Sequence, residues 1–189
     1  MTSPRATNDD LTAKARIRNA ALDLWSVHGE ERVSLRAVAA EAGVTLGLVQ
    51  HHFKTKAGLR DAVDGLVVEY FAHALREVAD QDTQVRDDAV NRMLRDNPPV
   101  VNYIRRAILD PSDERLHLLD VLVELTRSEV GGMRQSGVAS KRRRQSHQIV
   151  AVLVRQMGEL LLQPLVDAVW ERVAEPGAAK PRLRVTVDN

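Results

Sequence analysis

The sequence predicts an all-α protein, with a small three-helix unit at the N-terminus joined to a larger helical body. Three observations carry this. Apolar residues recur at spacings of three and four over almost the whole chain, which is the period of an amphipathic helix. Glycine and proline fall mainly between these periodic segments. No segment alternates apolar and polar residues as a half-buried strand would.

The first helix is predicted from about Asp9 to His28, with Ile17, Ala21, Leu24 and Trp25 on one face and Gly29 as its stop. Ser34 can cap a second, short helix that turns Val38 and Ala39 inward and ends at Gly43. Thr45 can cap a third helix reaching Phe53, and Thr55 a long fourth one. The stripe of the fourth is Leu59, Val63, Leu66, Val67, Tyr70, Ala74 and Val78. A fifth helix covers Thr83 to Asp96 and stops before Pro98-Pro99, because a residue preceding proline avoids the helical region. A sixth spans Pro99 to Leu109. Ser112 is placed to cap a seventh, with Asp113 and Glu114 in its first turn and Gly131-Gly132 or Gly137 near its end. The last helix runs from Gln145 to Val173 across Pro164, and the tail "EPGAAKPRLRVTVDN" has the composition of a disordered segment. The expected organisation is residues 9–54 as a helix-turn-helix unit, 55–175 as a second domain and 176–189 as a tail.

Composition excludes several function classes. The formal net charge is +1, so any electrostatic contact with nucleic acid must be local. The chain has no cysteine, which removes disulfides, thiolate catalysis and cysteine metal sites. No phosphate-binding loop, nucleophile triad or paired-carboxylate signature occurs, so no enzyme and no cofactor are expected. His51 and His52 are adjacent and project differently from a helix, with no further ligand at metal spacing, so no metal is expected. "MTSPRATNDD" lacks the apolar run of a signal peptide. The apolar stretch Ile149 to Trp170 is interrupted by Arg155, Gln156, Glu159 and Asp167, which argues against a membrane span. A cytoplasmic location is the expectation.

The segment "AGVTLGLVQHHF" is the most informative. On a helical wheel Val49 and Phe53 form a narrow inward face, while Gly47, Leu48, Gln50 and His51 point outward or sideways and Leu46 lies at the margin. A solvated helix would carry Lys, Glu and Arg on that outer face; this one is small, uncharged and mixed, as suits a surface pressed against another. Gly47 admits close approach. Gln50 and His51 can hydrogen-bond base edges, and Leu46 or Leu48 can meet a thymine methyl in the major groove. The flanks from Arg32 to Arg60 supply Arg32, Arg36, Lys54, Lys56 and Arg60 against one acid, Glu41. That matches DNA recognition, in which phosphate contacts position and base contacts specify. Ser34 and Thr45, at capped helix starts, join the phosphate-facing set. The denser run "SKRRRQ" at Ser140 to Gln145 opens the last helix and reads as a solvated loop.

The segments "IRNAALDLWSVHG" and "VSLRAVAAEAGVTLGLVQHHFKTKAGL" and their spacing resemble the N-terminal region of the TetR family of bacterial transcription regulators. Gly43, Val44, Thr45, Val49, His52, Phe53 and Lys56 carry the likeness. Gln50 stands where the family usually has tyrosine, and Leu48 where a small polar residue is usual. The resemblance implies a homodimer that binds a double-stranded DNA operator and a C-terminal domain that releases it on binding a small molecule, with a ligand-blind dimeric regulator as the alternative. Few polar groups lie between Leu59 and Val130, which suits an apolar or amphipathic effector, with Tyr70, Met93, Tyr103, His117 and Met157 as candidate lining residues. The last helix is apolar on nearly all sides over Ile149 to Leu162 and is expected to be buried all round. A partner chain would achieve that, with Leu119, Leu122, Leu153, Leu160 and Leu161 as the expected dimer interface.

Overall fold

The computed structural model describes residues 12–79, 81–109, 116–181 and 183–187, apart from the side chains of Thr83, Leu116 and His117. Among the described residues there are eight helices and no strand. They are α1 (Ala13–His28), α2 (Leu35–Glu41), α3 (Leu46–Phe53), α4 (Lys56–Arg76), α5 (Thr83–Asp96), α6 (Pro98–Leu109), α7 (Leu116–Ser136) and α8 (Gln145–Val173). Four helices start on the hydroxyl their sequence offers. Thr12, Ser34, Thr45 and Thr55 accept from the amides of Ala15, Ala37, Leu48 and Gly58 at 3.3, 3.2, 3.3 and 3.0 Å. Each such cap contributes about 1 kcal/mol. The expected start of α1 near Asp9 and the proposed Ser112 cap, with Asp113 and Glu114, lie outside the described residues.

The chain divides into two compact units, Met1–Ala79 with Thr83–Val121, and Asp80–Asp82 with Leu122–Asn189. α1 to α6 therefore belong to one unit, and the three-helix element expected over 9–54 is part of it. Its core is made by Ile17, Leu22 and Trp25 of α1, Val38 of α2, Val49 of α3, Leu59, Val63, Leu66, Val67 and Tyr70 of α4, Val90 of α5 and Ile104 of α6. The α4 stripe continues through Phe71 and Leu75; the helix ends at Arg76, so Val78 lies beyond it. α6 is tied to the end of α1. Arg106 donates from Nε to the Ser26 carbonyl at 3.0 Å and from Nη2 to the Val27 carbonyl at 2.6 Å, placing a cation where the helix dipole favours one. Tyr103 stacks on Trp25 with ring centroids 6.5 Å apart.

In the second unit, Leu122, Thr126, Val130 and Met133 of α7 and Ile149, Leu153, Met157 and Leu160 of α8 are buried. Arg134 shapes the turn between these helices. Its Nη1 donates to the carbonyls of Ser140 (3.0 Å) and Arg143 (2.8 Å) and to Gln148 Oε1 (2.7 Å), and Nη2 reaches the Lys141 carbonyl at 3.4 Å.

In the single chain α8 is not buried all round. Only one of its faces is buried, while Val150, Val154, Leu162, Leu165, Val169 and Val173 are 43–62% exposed. Leu122, Leu153 and Leu160, assigned above to a dimer interface, are already covered within the chain, whereas Leu119 is exposed and Leu161 half-buried. A helix apolar on all sides lets the protomer core take either stripe, and composition alone does not say which. Among the described residues α8 is also the one helix long and apolar enough, by length and composition, to cross a bilayer. In the tail "EPGAAKPRLRVTVDN", expected to be disordered, two residues are held on α8: Leu183 N–H donates to Gln163 Oε1 at 3.3 Å, and Lys180 pairs with Asp167 at 2.7 Å.

Candidate nucleic-acid interface

α2, the turn and α3 are set by two glycine-dependent features. Gly43 adopts φ +65°, a conformation L side chains rarely reach. It lets the Val44 amide donate back to the Ala39 carbonyl at 2.9 Å and so re-aims the chain into α3. At the other end of α3, Gly58 packs against its last residue: a Cβ there would lie 2.3 Å from the Phe53 carbonyl oxygen. The first turn of α4 thus abuts the end of α3 directly, and the two must move together.

On α3, Val49 and Phe53 are buried, Gly47, Gln50 and His51 are exposed, and Leu46, Leu48 and His52 are half-buried. The outward surface is therefore the uncharged one. Its rim holds exposed Thr45, Ser34 and Arg36 and half-buried Lys56 at the start of α4. Both hydroxyls already accept an amide hydrogen as caps, and each retains its own proton to donate to an acceptor such as a phosphate oxygen. The remaining first-turn amides of α2, α3 and α4 have no intrahelical partner. His51 and His52 meet edge to face at 5.3 Å, and His52 leans on Phe53 at 6.2 Å, so the first is presented and the second is partly packed.

Arg60 departs from its expected place among the phosphate-facing cations. Nη1 lies 3.5 Å from Glu30 Oε1, and both side chains are largely covered. Arg60 is one helical turn into α4 and faces inward beside Leu59 and Val63. Glu30, Arg60, Asp64 and Tyr103 line a small cavity of about 10 Å³, the size of one water. The Tyr103 hydroxyl donates to Asp64 Oδ1 at 2.6 Å. Burial, reinforced by the nearby carboxylates, pushes the Tyr103 hydroxyl well above the ordinary tyrosine range, so it stays a proton donor. This polar cluster joins the segment just before α2 to α4 and α6.

The sequence profile of the family described as "Bacterial regulatory proteins, tetR family" matches residues 17–63, from the core of α1 through the first turns of α4. Over 60 residues the chain is 55% identical to the HTH-type transcriptional regulatory protein RaaS of Mycobacterium tuberculosis. Residues 17–63 therefore match the N-terminal unit of TetR-family regulators. The match to RaaS covers 32% of this chain and 28% of that protein, so this chain matches under a third of that relative's length. Among solved structures, the fold is similar to a TetR-family regulator from Rhodococcus sp. (TM-score 0.63, 17% identity, 80% of this chain and 88% of that one). It is also similar to the multidrug binding protein EbrR (TM-score 0.61, 22% identity, 84% and 87%). At these identities the likeness is of fold.

Within the TetR-type unit the structure gathers Ser34, Arg36, Thr45, Leu46, Gly47, Leu48, Gln50, His51 and Lys56 around α3. The other predicted residues are dispersed. Tyr70, Met93 and Tyr103 are in the core of the first unit and Met157 is buried in the second; the side chain of His117 is outside the described residues. Sequence reasoning missed the Glu30–Arg60–Asp64–Tyr103 cluster. Its one available signal was Asp64, a carboxylate inside the apolar stripe of α4.

Proposed function

We propose that this chain is a TetR-family regulator that binds a double-stranded operator through α3 as a homodimer and is released from it by a small apolar or amphipathic effector, in the cytoplasm of a bacterium. The observation that carries the DNA reading is the uncharged outer surface of α3 (Gly47, Gln50, His51) framed by three capped helix starts and by Arg36 and Lys56. Base edges meet the neutral surface, and phosphates meet the hydroxyls, free amides and cations. Two-fold symmetry adds a second reading helix. The exposed stripe on α8 supports such a pairing, since an apolar surface of that extent favours a partner. Repression and effector release rest on the family resemblance and on the direct abutment of α3 and α4.

Selection of bound DNA from a random pool tests this reading. It should return an inverted repeat whose half-sites lie about 34–36 Å apart, or a multiple of that. Recovery of unrelated sequences with equal affinity would remove the operator reading. A ligand-blind regulator is the second reading, favoured by the burial of Tyr70, Met93 and Tyr103 in the core of one unit and of Met157 in the other. Effector binding measured with and without operator separates the two, because linkage requires each ligand to weaken the other by the same factor. Tight ligands that ignore the operator would select the ligand-blind form.

A further inference from the structure

The exposed side of α8 is not bare at its centre. Val150, Val154, Gly158, Leu162, Leu165 and Val169 follow one another at spacings of four and three, so they share a face. At Gly158 the stripe has a notch, and Val185 fills it. A Cβ on Gly158 would lie 2.9 Å from Val185 Cγ2 and 3.1 Å from Cγ1. Two further contacts hold the same segment: the Leu183 amide on Gln163 and Lys180 on Asp167. The three anchors run in order, 180, 183 and 185 against 167, 163 and 158, so the segment lies antiparallel to α8.

We propose that Lys180, Leu183 and Val185 belong to a strap that occupies the apolar face of α8 in the single chain and must leave before a second copy of this chain docks there. The inference rests on the dimer reading given above; the strap is the new element. Two helices in contact sit about 8–10 Å apart, axis to axis. Gly158 is the place on this stripe where a partner helix comes closest, and Val185 stands in that space. The strap is lightly held. Its ion pair joins side chains that are 47% and 39% exposed, a class of contact that adds little, and beside it are one hydrogen bond and one valine. A partner helix that covers the whole stripe from Val150 to Val169 buries far more apolar surface than Val185 does at one notch. The strap therefore raises the concentration at which the chain pairs without abolishing pairing.

The test compares the full chain with a chain ending at Gly177, by sedimentation equilibrium over a wide concentration range. The truncated chain should dimerise more tightly, on the order of fivefold, the scale of one weak surface anchor and a partly covered valine. Lys180→Asp in the full chain should move the constant in the same direction by a smaller factor, and adding Asp167→Lys should return it towards the original value. An unchanged constant would overturn the strap. A weaker dimer on truncation would also overturn it, and would make the segment part of the interface instead. If the full and truncated chains are both monomeric throughout, the dimer reading falls and the strap proposal falls with it.

Discussion

Tyr103→Phe removes one oxygen from the cluster that joins α6 to α4 and leaves the ring, its packing and its stacking on Trp25 in place. The lost contact is a 2.6 Å hydrogen bond to Asp64 Oδ1, with Asp64 1% and Tyr103 6% exposed. Hydrogen bonds to charged groups contribute about 1.5–3 kcal/mol, and the burial of both groups places this one towards the upper end. The neighbouring cavity lowers the expectation. At about 10 Å³ it is at the threshold for holding a water, and loss of the hydroxyl takes it past that threshold, so a water can replace part of the bond. We expect a loss of about 1–2 kcal/mol, read as a lower urea midpoint at unchanged slope. In a double-mutant cycle with Asp64→Ala, Tyr103→Phe should cost almost nothing, because the partner is already gone. A loss below about 0.5 kcal/mol, or equal losses in the two backgrounds, would refute the assignment of the hydroxyl to Asp64 as a stabilising contact.

Gln50→Ala or His51→Ala should weaken the selected operator by about 1–3 kcal/mol and random DNA much less; equal losses on both would show that the residue does not read bases. Lys56→Ala or Arg36→Ala should weaken both DNAs alike and flatten the salt dependence of log affinity by about one unit per lost phosphate contact. Arg60→Ala should instead leave that slope unchanged and lower stability by about 1–2 kcal/mol, since it strips Glu30 of an ion-pair partner in a largely covered site; a flattened slope would return Arg60 to the DNA surface. Asp167 is held below its ordinary value of 3.8 by its hydrogen bond to Lys180 and, secondarily, to Gln163. A depressed carboxylate value means the contact is fully present above pH 3.8 and is lost as pH falls through the lower bound-state value. The Leu183 amide resonance should therefore stay fixed from neutral pH down to that point and move only below it; movement near pH 6 would point to a different group.

The reading helix was legible because its signals are local. Ser34, Thr45 and Thr55 announce three helix starts within a short stretch, Gly43 announces the turn between two of them, and the outward residues of α3 follow from a wheel centred on Val49. The same locality placed α5 and α8 at their observed ends. Arg60 was misread for the complementary reason. Its neighbours in sequence are the cations Lys54 and Lys56, but its neighbour in space is Glu30, and a contact across thirty positions leaves no trace in a local pattern. Tyr103 is a candidate lining residue in the sequence; in the structure its hydroxyl is held by a carboxylate that the α4 stripe concealed. The two faces of α8 are nearly equal in composition, so only tertiary packing decides which is inside. The return of Lys180, Leu183 and Val185 onto α8 depends on a glycine notch and on single polar anchors, none of which has a periodic signature.

Arg134 holds the turn between α7 and α8 through carbonyl groups, and that has a bearing on how this segment can evolve. The backbone at Ser140, Lys141 and Arg143 is gripped by one guanidinium, with the Ser140 hydroxyl accepting from the Arg142 amide, so the shape of the turn does not rest on the side chains at 141–144. Lys141, Arg142, Arg143 and Arg144 are thus free to drift, and the turn can acquire or shed charge without refolding. Position 134 has no such freedom, because lysine cannot supply the planar fork that reaches those acceptors together. A saturation scan of this region should be nearly flat across 141–144 and fall sharply at position 134 upstream.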